Sequence, residues 1–366
     1  MRPLKIILTI VVFFSTAVFA QFGKNKLHIK DYDWYYIQTK HFDIYFNQGG
    51  ETITEFAAKA AEDALTSIQD AFNYRINSRI TLIIFNSQNE FQETNVIDEY
   101  LSEGVQGFTE LFKNRVVVQF TGSYKQFRHL VHHELVHAVM NDMFFGGSIQ
   151  NIISNNISLQ FPLWFNEGLA EYEALGWDVD TDMFIRDAAV NEYLPDINRL
   201  DNYFAYRGGQ SVFYYIANKY GTEKIGELLN KIKGIGNVEE GFKATLGIDI
   251  KELGQRWKKE IKKTFWPDVA LRDDPVDFAK RLTNPEKDKG FYNTSPALSP
   301  QGDKIAFISN RDYYFGLYIM DVITGKTTGP LAEGNQTPDF EELNILTPGL
   351  TWSPDGNKIA ISAEHS

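Results

Sequence analysis

Five consecutive residues near the middle of the chain, His133-Glu134-Leu135-Val136-His137, have the types and spacing of a metal site. On an α-helix, positions i and i+4 lie roughly 40° apart around the axis and one turn along it. Two imidazoles so placed can share one tetrahedral metal ion. Glu134 falls roughly 100° round from His133, beside such an ion and not on it. From there its carboxylate can reach a water at the metal and take its proton. The surrounding residues support a helix over Tyr124–Phe145, with Leu130, Leu135, Val136 and Ala138 on buried positions. On these five residues alone two readings stay open: a metal-binding helix, and a helix with incidental histidines. His129 lies one turn before His133 on the same face and could compete as a ligand. With no acid evidently beside it, it reads as a supporting or core histidine. His132 points elsewhere, and His28, His41 and His365 have no metal-like context.

Downstream, Phe161-Pro162-Leu163-Trp164-Phe165-Asn166-Glu167-Gly168-Leu169-Ala170-Glu171-Tyr172 resembles the W-x-N-E-G-x-A-x-Y segment of gluzincin peptidases. That group includes thermolysin-like proteases and zinc aminopeptidases. The resemblance implies one Zn2+ per catalytic domain, with Glu167 as third ligand beside His133 and His137, and Glu134 as catalytic base. Glu171, one turn later, matches the acidic residue that orients the first metal histidine. Ligating histidines usually donate their second N–H to such a carboxylate, which fixes the tautomer. The plainer alternatives are a helix-start carboxylate favoured by the helix dipole for Glu167, and a surface glutamate for Glu171. The sequence departs from the group in spacing. Between His137 and Glu167 lie 29 residues, more than in the best-known members, and the excess coincides with Gly146–Gln160, read as an inserted loop or short helix.

Tyr206-Arg207-Gly208-Gly209-Gln210-Ser211-Val212 resembles the Y-x-K-G-x-x-V segment of the aminopeptidases, with Gly208 in place of the lysine. The resemblance implies that Tyr206 donates a hydrogen bond to the oxyanion of the tetrahedral intermediate, a role that suits a neutral phenol; the alternative is a packing tyrosine. Aminopeptidases of this group hold the substrate amine with a G-x-M-E-N strand. Here Gly107-Phe108-Thr109-Glu110-Leu111 lacks the Met and Asn. It reads as an edge strand for extended substrate backbone, which leans the expectation toward an endopeptidase acting on peptide or protein substrates. A zinc aminopeptidase and a catalytically idle scaffold or binding protein remain the alternatives.

The elements that must position these residues are strands first and helices afterwards, an α+β order. Trp34–Phe46 reads as one or two strands, Arg79–Phe85 and Arg115–Phe120 as one each. A helix with Thr52 and Glu55 as capping box runs to about Phe72. After Trp164–Leu175 come helices over Gly209–Tyr220, Glu223–Ile232 with Gly234 past its end, and Asp249–Phe265. The gluzincin resemblance spans about Trp34 to Phe265, within a peptidase domain expected over 27–265.

Residues 266–290 cluster prolines and charges, as a linker does. Beyond it, Ser299-Pro300-Gln301-Gly302-Asp303-Lys304-Ile305-Ala306 recurs as Ser353-Pro354-Asp355-Gly356-Asn357-Lys358-Ile359-Ala360. The pattern resembles TolB-like β-propeller repeats, which implies that 291–366 open such a propeller, with Pro330–Pro348 as an insertion and a protein partner as one role for it. One repeat and the start of another cannot bury a propeller core, so the chain is expected to be a fragment.

The first residues read as an export signal: Arg2 and Lys5, an apolar run Ile6–Phe14, and Ala17-Val18-Phe19-Ala20 before a cut ahead of Gln21. The apolar stretch is shorter than the roughly 20 residues of a membrane span, although an uncleaved anchor is the rival reading. A signal over 1–20 implies a periplasmic, cell-surface or extracellular protein with no membrane span in the mature chain. The formal net charge of −12, with no long basic block to offset it, speaks against a nucleic-acid partner. The absence of cysteine removes thiolate nucleophiles, cysteine metal sites and disulfides.

Overall fold

The computed structural model of the protein describes residues 31–94, 104–111, 114–146, 159–288, 290–334, 340, 342–345 and 349–364. The expected export signal, His28, His365 and most of the stretch between Gly146 and Gln160 lie outside the described residues. The chain divides into two compact units, with the boundary between Ala270 and Leu271.

In the first unit β1 (Trp34–Gln38) and β2 (Phe42–Asn47) pair as a hairpin, and α1 (Glu51–Phe72) crosses to β3 (Ile80–Phe85). The short α2 (Gln88–Gln92) leads on toward β4 (Gly107–Thr109) and β5 (Arg115–Gln119). The sheet order is β1-β2-β3-β5-β4, parallel through the three inner strands and antiparallel at both edges. Alternate residues on a strand face opposite sides. Phe42, Ile44 and Phe46, Ile80, Leu82 and Ile84, and Val116 and Val118 therefore form one buried face. That face belongs to the same core as Ala57, Ala61, Leu65 and Ile68 of α1. The short alanine side chains let α1 lie close to both the sheet and the metal-site helix. Phe85, Phe91 and Val117 form a smaller cluster of their own.

The helices that follow are α3 (Tyr124–Phe145), α4 (Leu163–Leu175), α5 (Val179–Val190), α6 (Asn202–Tyr220), α7 (Glu223–Ile235), α8 (Val238–Leu246) and α9 (Ile250–Leu271). The mixed α+β architecture agrees with the sequence reading, but several boundaries move. No capping box forms at α1: Gly50 is the N-cap and Thr52 lies inside the first turn. A Cβ at Gly50 would sit 2.8 Å from Asn86 Oδ1, which explains glycine at this N-cap, two residues ahead of the expected Thr52. The helix carrying Tyr206 begins at Asn202, not Gly209. The Gly208-Gly209 pair that reads as a boundary lies within it. α7 continues to Ile235 and ends at Gly236, in the left-handed conformation, rather than at Gly234. α5 and α8 were not anticipated. α9 passes through Pro267 to Leu271, so the first residues of the expected linker are helical. Proline removes one main-chain donor, and here the turn is anchored by neighbours. The Trp266 ring N–H donates to the Ala189 carbonyl at 3.1 Å, and Asp268 pairs with Arg186.

The glycine pair is explained by the crossing of α4 and α6. A Cβ on Gly209 would lie 2.7 Å from Gly168 Cα and far closer than van der Waals contact to the Trp164 carbonyl oxygen. A Cβ on Gly168 would lie 2.8 Å from Gln210 N. The backbones touch only because neither residue has a side chain. Gly209→Ala should therefore cost stability: overpacking typically costs about 1–3 kcal/mol or more, against at most about 1 kcal/mol of helix propensity gained. A melting temperature several degrees below wild type is expected. An unchanged value would show that the helices separate without strain.

In the second unit two short helices, α10 (Pro275–Phe278) and α11 (Pro285–Asp288), precede an antiparallel sheet. Its strands β6 (Asn293–Leu298), β7 (Lys304–Asp312), β8 (Tyr314–Asp321) and β9 (Thr327–Thr328) lie in sequence order. The repeated segments fold alike. Ser299 N–H donates to the Lys304 carbonyl at 2.8 Å, and Ser353 N–H to that of Lys358 at 2.9 Å. Gly302 and Gly356 take left-handed φ values of 74° and 73°, which explains glycine at that place in both copies. Among the described residues the strands form open sheets and no closed ring. No described helix is long and apolar enough to cross a membrane.

Candidate metal centre

α3 is held at its start by Ser123, whose hydroxyl accepts from Gln126 N–H, and stopped by Gly146 in the left-handed conformation. α4 starts after Pro162, which places Glu167 in its second turn, facing α3. The two helices bring His133, His137 and Glu167 together. The separations are 3.2 Å between the two Nε2 atoms, 3.3 Å from His133 Nε2 to Glu167 Oε2, and 3.5 Å from His137 Nε2 to the same oxygen. A tetrahedral zinc with ligand bonds of about 2.0–2.1 Å holds its ligand atoms about 3.3–3.4 Å apart. An octahedral magnesium at similar bond length needs neighbours about 2.9 Å apart and all-oxygen donors. The donor set and the triangle fit zinc.

Glu171, buried one turn beyond Glu167, bridges two histidines. Its Oε1 lies 2.9 Å from His133 Nδ1, close though not aligned as a hydrogen bond, and 3.1 Å from His129 Nε2. This corrects the reading of His129 as lacking an acid: its partner is the same carboxylate that serves His133. On the other side, Arg207 Nη1 donates to Glu171 Oε2 at 3.0 Å. Arg207 is held in turn by Thr181 and Gln210, at 3.1 and 3.2 Å. Burial alone would lower the basicity of His133, but the carboxylates of Glu167 and Glu171 beside it outweigh burial and push the ring up to about 10. Burial would likewise raise Glu167 and Glu171, yet hydrogen bonds from the histidines hold both well below the usual carboxylate range. The pocket thus stabilises positive charge at its centre, as a cation site must. His132 takes no part: burial pushes it down to about 4, and its Nε2 has no hydrogen-bond partner. His41 pairs instead with Glu62, at 2.6 Å.

Glu134 is buried beside the triangle and outside it. Thr109 Oγ1 on the edge strand β4 donates to Glu134 Oε2 at 2.8 Å. A Cβ on Gly107 would lie 3.1 Å from Glu134 Cγ and Oε1, so the strand packs directly on this side chain. The Tyr206 ring lies nearly parallel to that of His133, with centroids 6.1 Å apart, and 36% of the residue is exposed. Burial of the hydroxyl and the charges of Glu167 and Glu134 push the phenol up, so it stays a donor at neutral pH. Glu110, the acid of the Gly107–Leu111 segment, is engaged by Arg115 through two bonds of 2.5 and 2.7 Å.

The sequence profile of the Peptidase MA superfamily matches residues 60–263, more than half of the chain and all the residues just described from Gly107 to Gln210. The chain belongs to the Peptidase MA superfamily. No curated protein sequence matches it. Among solved structures it is similar to an M1 zinc metallopeptidase from Deinococcus radiodurans, at 12% identity and a TM-score of 0.38, covering 62% of this chain and 51% of that one. It is also similar to an aminopeptidase N family protein from Idiomarina loihiensis, at 14% identity and a TM-score of 0.26, covering 68% and 46%. The chain thus spans about half the length of these structures.

Within this superfamily member, each residue expected at the site lies at the centre: His133, Glu134, His137, Glu167, Glu171 and Tyr206. Sequence reasoning missed Thr109 and Arg207. Both lie in segments already singled out, Gly107–Leu111 and Tyr206–Val212. The hydroxyl and the guanidinium there carried no spacing signal, because their partners are 25 and 36 residues away.

Proposed function

We propose that the chain is an exported, gluzincin-type zinc peptidase that hydrolyses interior peptide bonds. The observation that carries this reading is the ligand triangle of His133, His137 and Glu167, at 3.2–3.5 Å. Zinc, when bound there, would polarise the substrate carbonyl and acidify a water. Glu134 would serve as the base that takes a proton from the attacking water and returns it to the leaving amine. Thr109 fixes one carboxylate oxygen, which leaves the other for the proton. Tyr206 donates its O–H to the developing oxyanion. Glu171, braced by Arg207 and His129, orients His133.

Endopeptidase activity is supported by Glu110. A free carboxylate could anchor a substrate amine, but this one is paired with Arg115. Residues 291–366 are read as the opening of a TolB-like propeller, after a linker over the remainder of 266–290. The support is the shared hydrogen bonding of the two repeat turns and the four-stranded antiparallel sheet.

Metal analysis and turnover of matched peptides test the proposal together. One zinc per chain and cleavage of N-acetylated peptides are expected. Cleavage confined to peptides with a free amine would make the enzyme an aminopeptidase. Full zinc with no turnover on a broad library would favour the idle scaffold.

A further inference from the structure

β1 forms the edge of the sheet opposite β4. Its hairpin with β2 fixes where its backbone groups point. Thr39 N–H donates to the Phe42 carbonyl at 3.0 Å, and the same register continues through Ile37–Ile44 and Tyr35–Phe46. Hydrogen-bonded and non-bonded pairs alternate along an antiparallel ladder. Tyr35 and Ile37 therefore turn their N–H and C=O groups toward β2, while Trp34, Tyr36 and Gln38 turn theirs outward. Among the described residues no strand meets them there. Exposed edges are commonly blunted by charge, proline or a bulge. β1 has none of these: its five residues are uncharged, and its register with β2 has no shift. The strand is also open, with Tyr36 61% and Trp34 45% exposed. Ile37 packs against the core, so both rings stand on the other face of the sheet. There Tyr36 stacks on Tyr45, with centroids 5.7 Å apart.

We propose that this edge is a dimerisation surface, on which β1 pairs antiparallel with β1 of a second copy of the chain, about a twofold axis at Tyr36. The strand's own pattern selects that occupant. In this register Tyr36 faces Tyr36 of the second copy and Trp34 faces its Gln38, so the outward groups of all three residues are satisfied in both chains. Tyr45 and Tyr36 of each copy then form one row of rings across the seam. Charge favours the same orientation. Asp31 and Asp33 precede the strand and Lys40 follows it, so antiparallel pairing brings acid beside base, and in-register parallel pairing brings like beside like. Beyond the strand, His41 and Asp43 are already answered by Glu62 and Arg79. A twofold also closes, so pairing stops at two copies. The surface lies at the far end of the sheet from Thr109, and the inference does not depend on the peptidase reading.

Sedimentation velocity of the purified protein over a range of concentrations should show a monomer–dimer equilibrium, with a dissociation constant of about 1–100 µM as befits a small interface. Tyr36→Lys and Tyr36→Glu each set like charges directly across the axis, and each should weaken the dimer by about 10-fold or more. The side chain stands mostly in solvent, so both variants should keep the wild-type melting temperature of the monomer. An equimolar mixture of the two should sediment as a dimer again, because only the mixed pair sets Lys against Glu. Tyr36→Pro gives an independent check: it removes a donor that points outward and none that reaches β2, and it should also be monomeric. A wild type that stays monomeric at about 200 µM, well above the expected dissociation constant, would overturn the inference and leave the edge to an extended segment of another protein. A dimer that persists unchanged in Tyr36→Lys would overturn it too, since the contact would then lie elsewhere. So would a Lys–Glu mixture that stays monomeric, because a twofold at Tyr36 requires the two charges to meet.

Discussion

Glu134→Gln should lower kcat/KM by about 10²–10⁴-fold or more while zinc content and melting temperature stay at wild-type values. General acid–base catalysis is typically worth about that factor, and the substitution removes little else. Glutamine has nearly the volume of glutamate, so the close packing against Gly107 is kept. Thr109 can still donate its hydroxyl to the amide oxygen. Glu134 is no member of the ligand triangle, so the metal should remain. An amide, however, cannot accept a proton from water or return one to an amine. The comparison needs both proteins at matched zinc content on the same peptides. Equal rates would remove Glu134 from the mechanism. Lost turnover with full complementation in the native host would point to a scaffold role.

Glu167→Ala should strip the metal. Loss of a partner that only orients a ligand typically weakens a metal site about 10–100-fold. A three-residue site reduced to two histidines should weaken by more than that, so the variant should purify without stoichiometric zinc. Glu171→Gln supplies the internal scale: it retains the triangle and should fall within the 10–100-fold range. Competition with a chelator of known affinity orders the three proteins. Full zinc in Glu167→Ala would mean that another residue completes the site, and His129, 3.1 Å from Glu171, is the one to remove next. A Glu171→Gln loss as large as that of Glu167→Ala would likewise reverse the roles of the two acids.

What was legible in the sequence was local. His133 and His137 are one helical turn apart, so their meeting follows from helix geometry alone. The strands Ile80–Phe85 and Arg115–Gln119 were legible because runs of β-branched and aromatic residues leave few other conformations. Glu167, Glu171 and Tyr206 were found only through their resemblance to known segments, since nothing in their own spacing to α3 fixes a distance. Contacts set by the packing of separate elements were invisible. Thr109 reaches Glu134 because β4 pairs with β5 at the sheet edge, and Arg207 reaches Glu171 because α6 crosses α4. The helix start at Asn202 was missed for a related reason. Gly208-Gly209 has low intrinsic helix propensity and reads as a break, yet the crossing demands residues without side chains.

The same crossing restricts how this protein can vary. Every base change in a glycine codon that substitutes the residue adds a Cβ, and the space at Gly168 and Gly209 admits none without moving backbone. Neither position can compensate for the other, because each already has the smallest side chain available. Gly168 follows Glu167 directly, so a shift at the crossing is also a shift of the metal centre. Tolerated variation should therefore be nearly absent at these two positions.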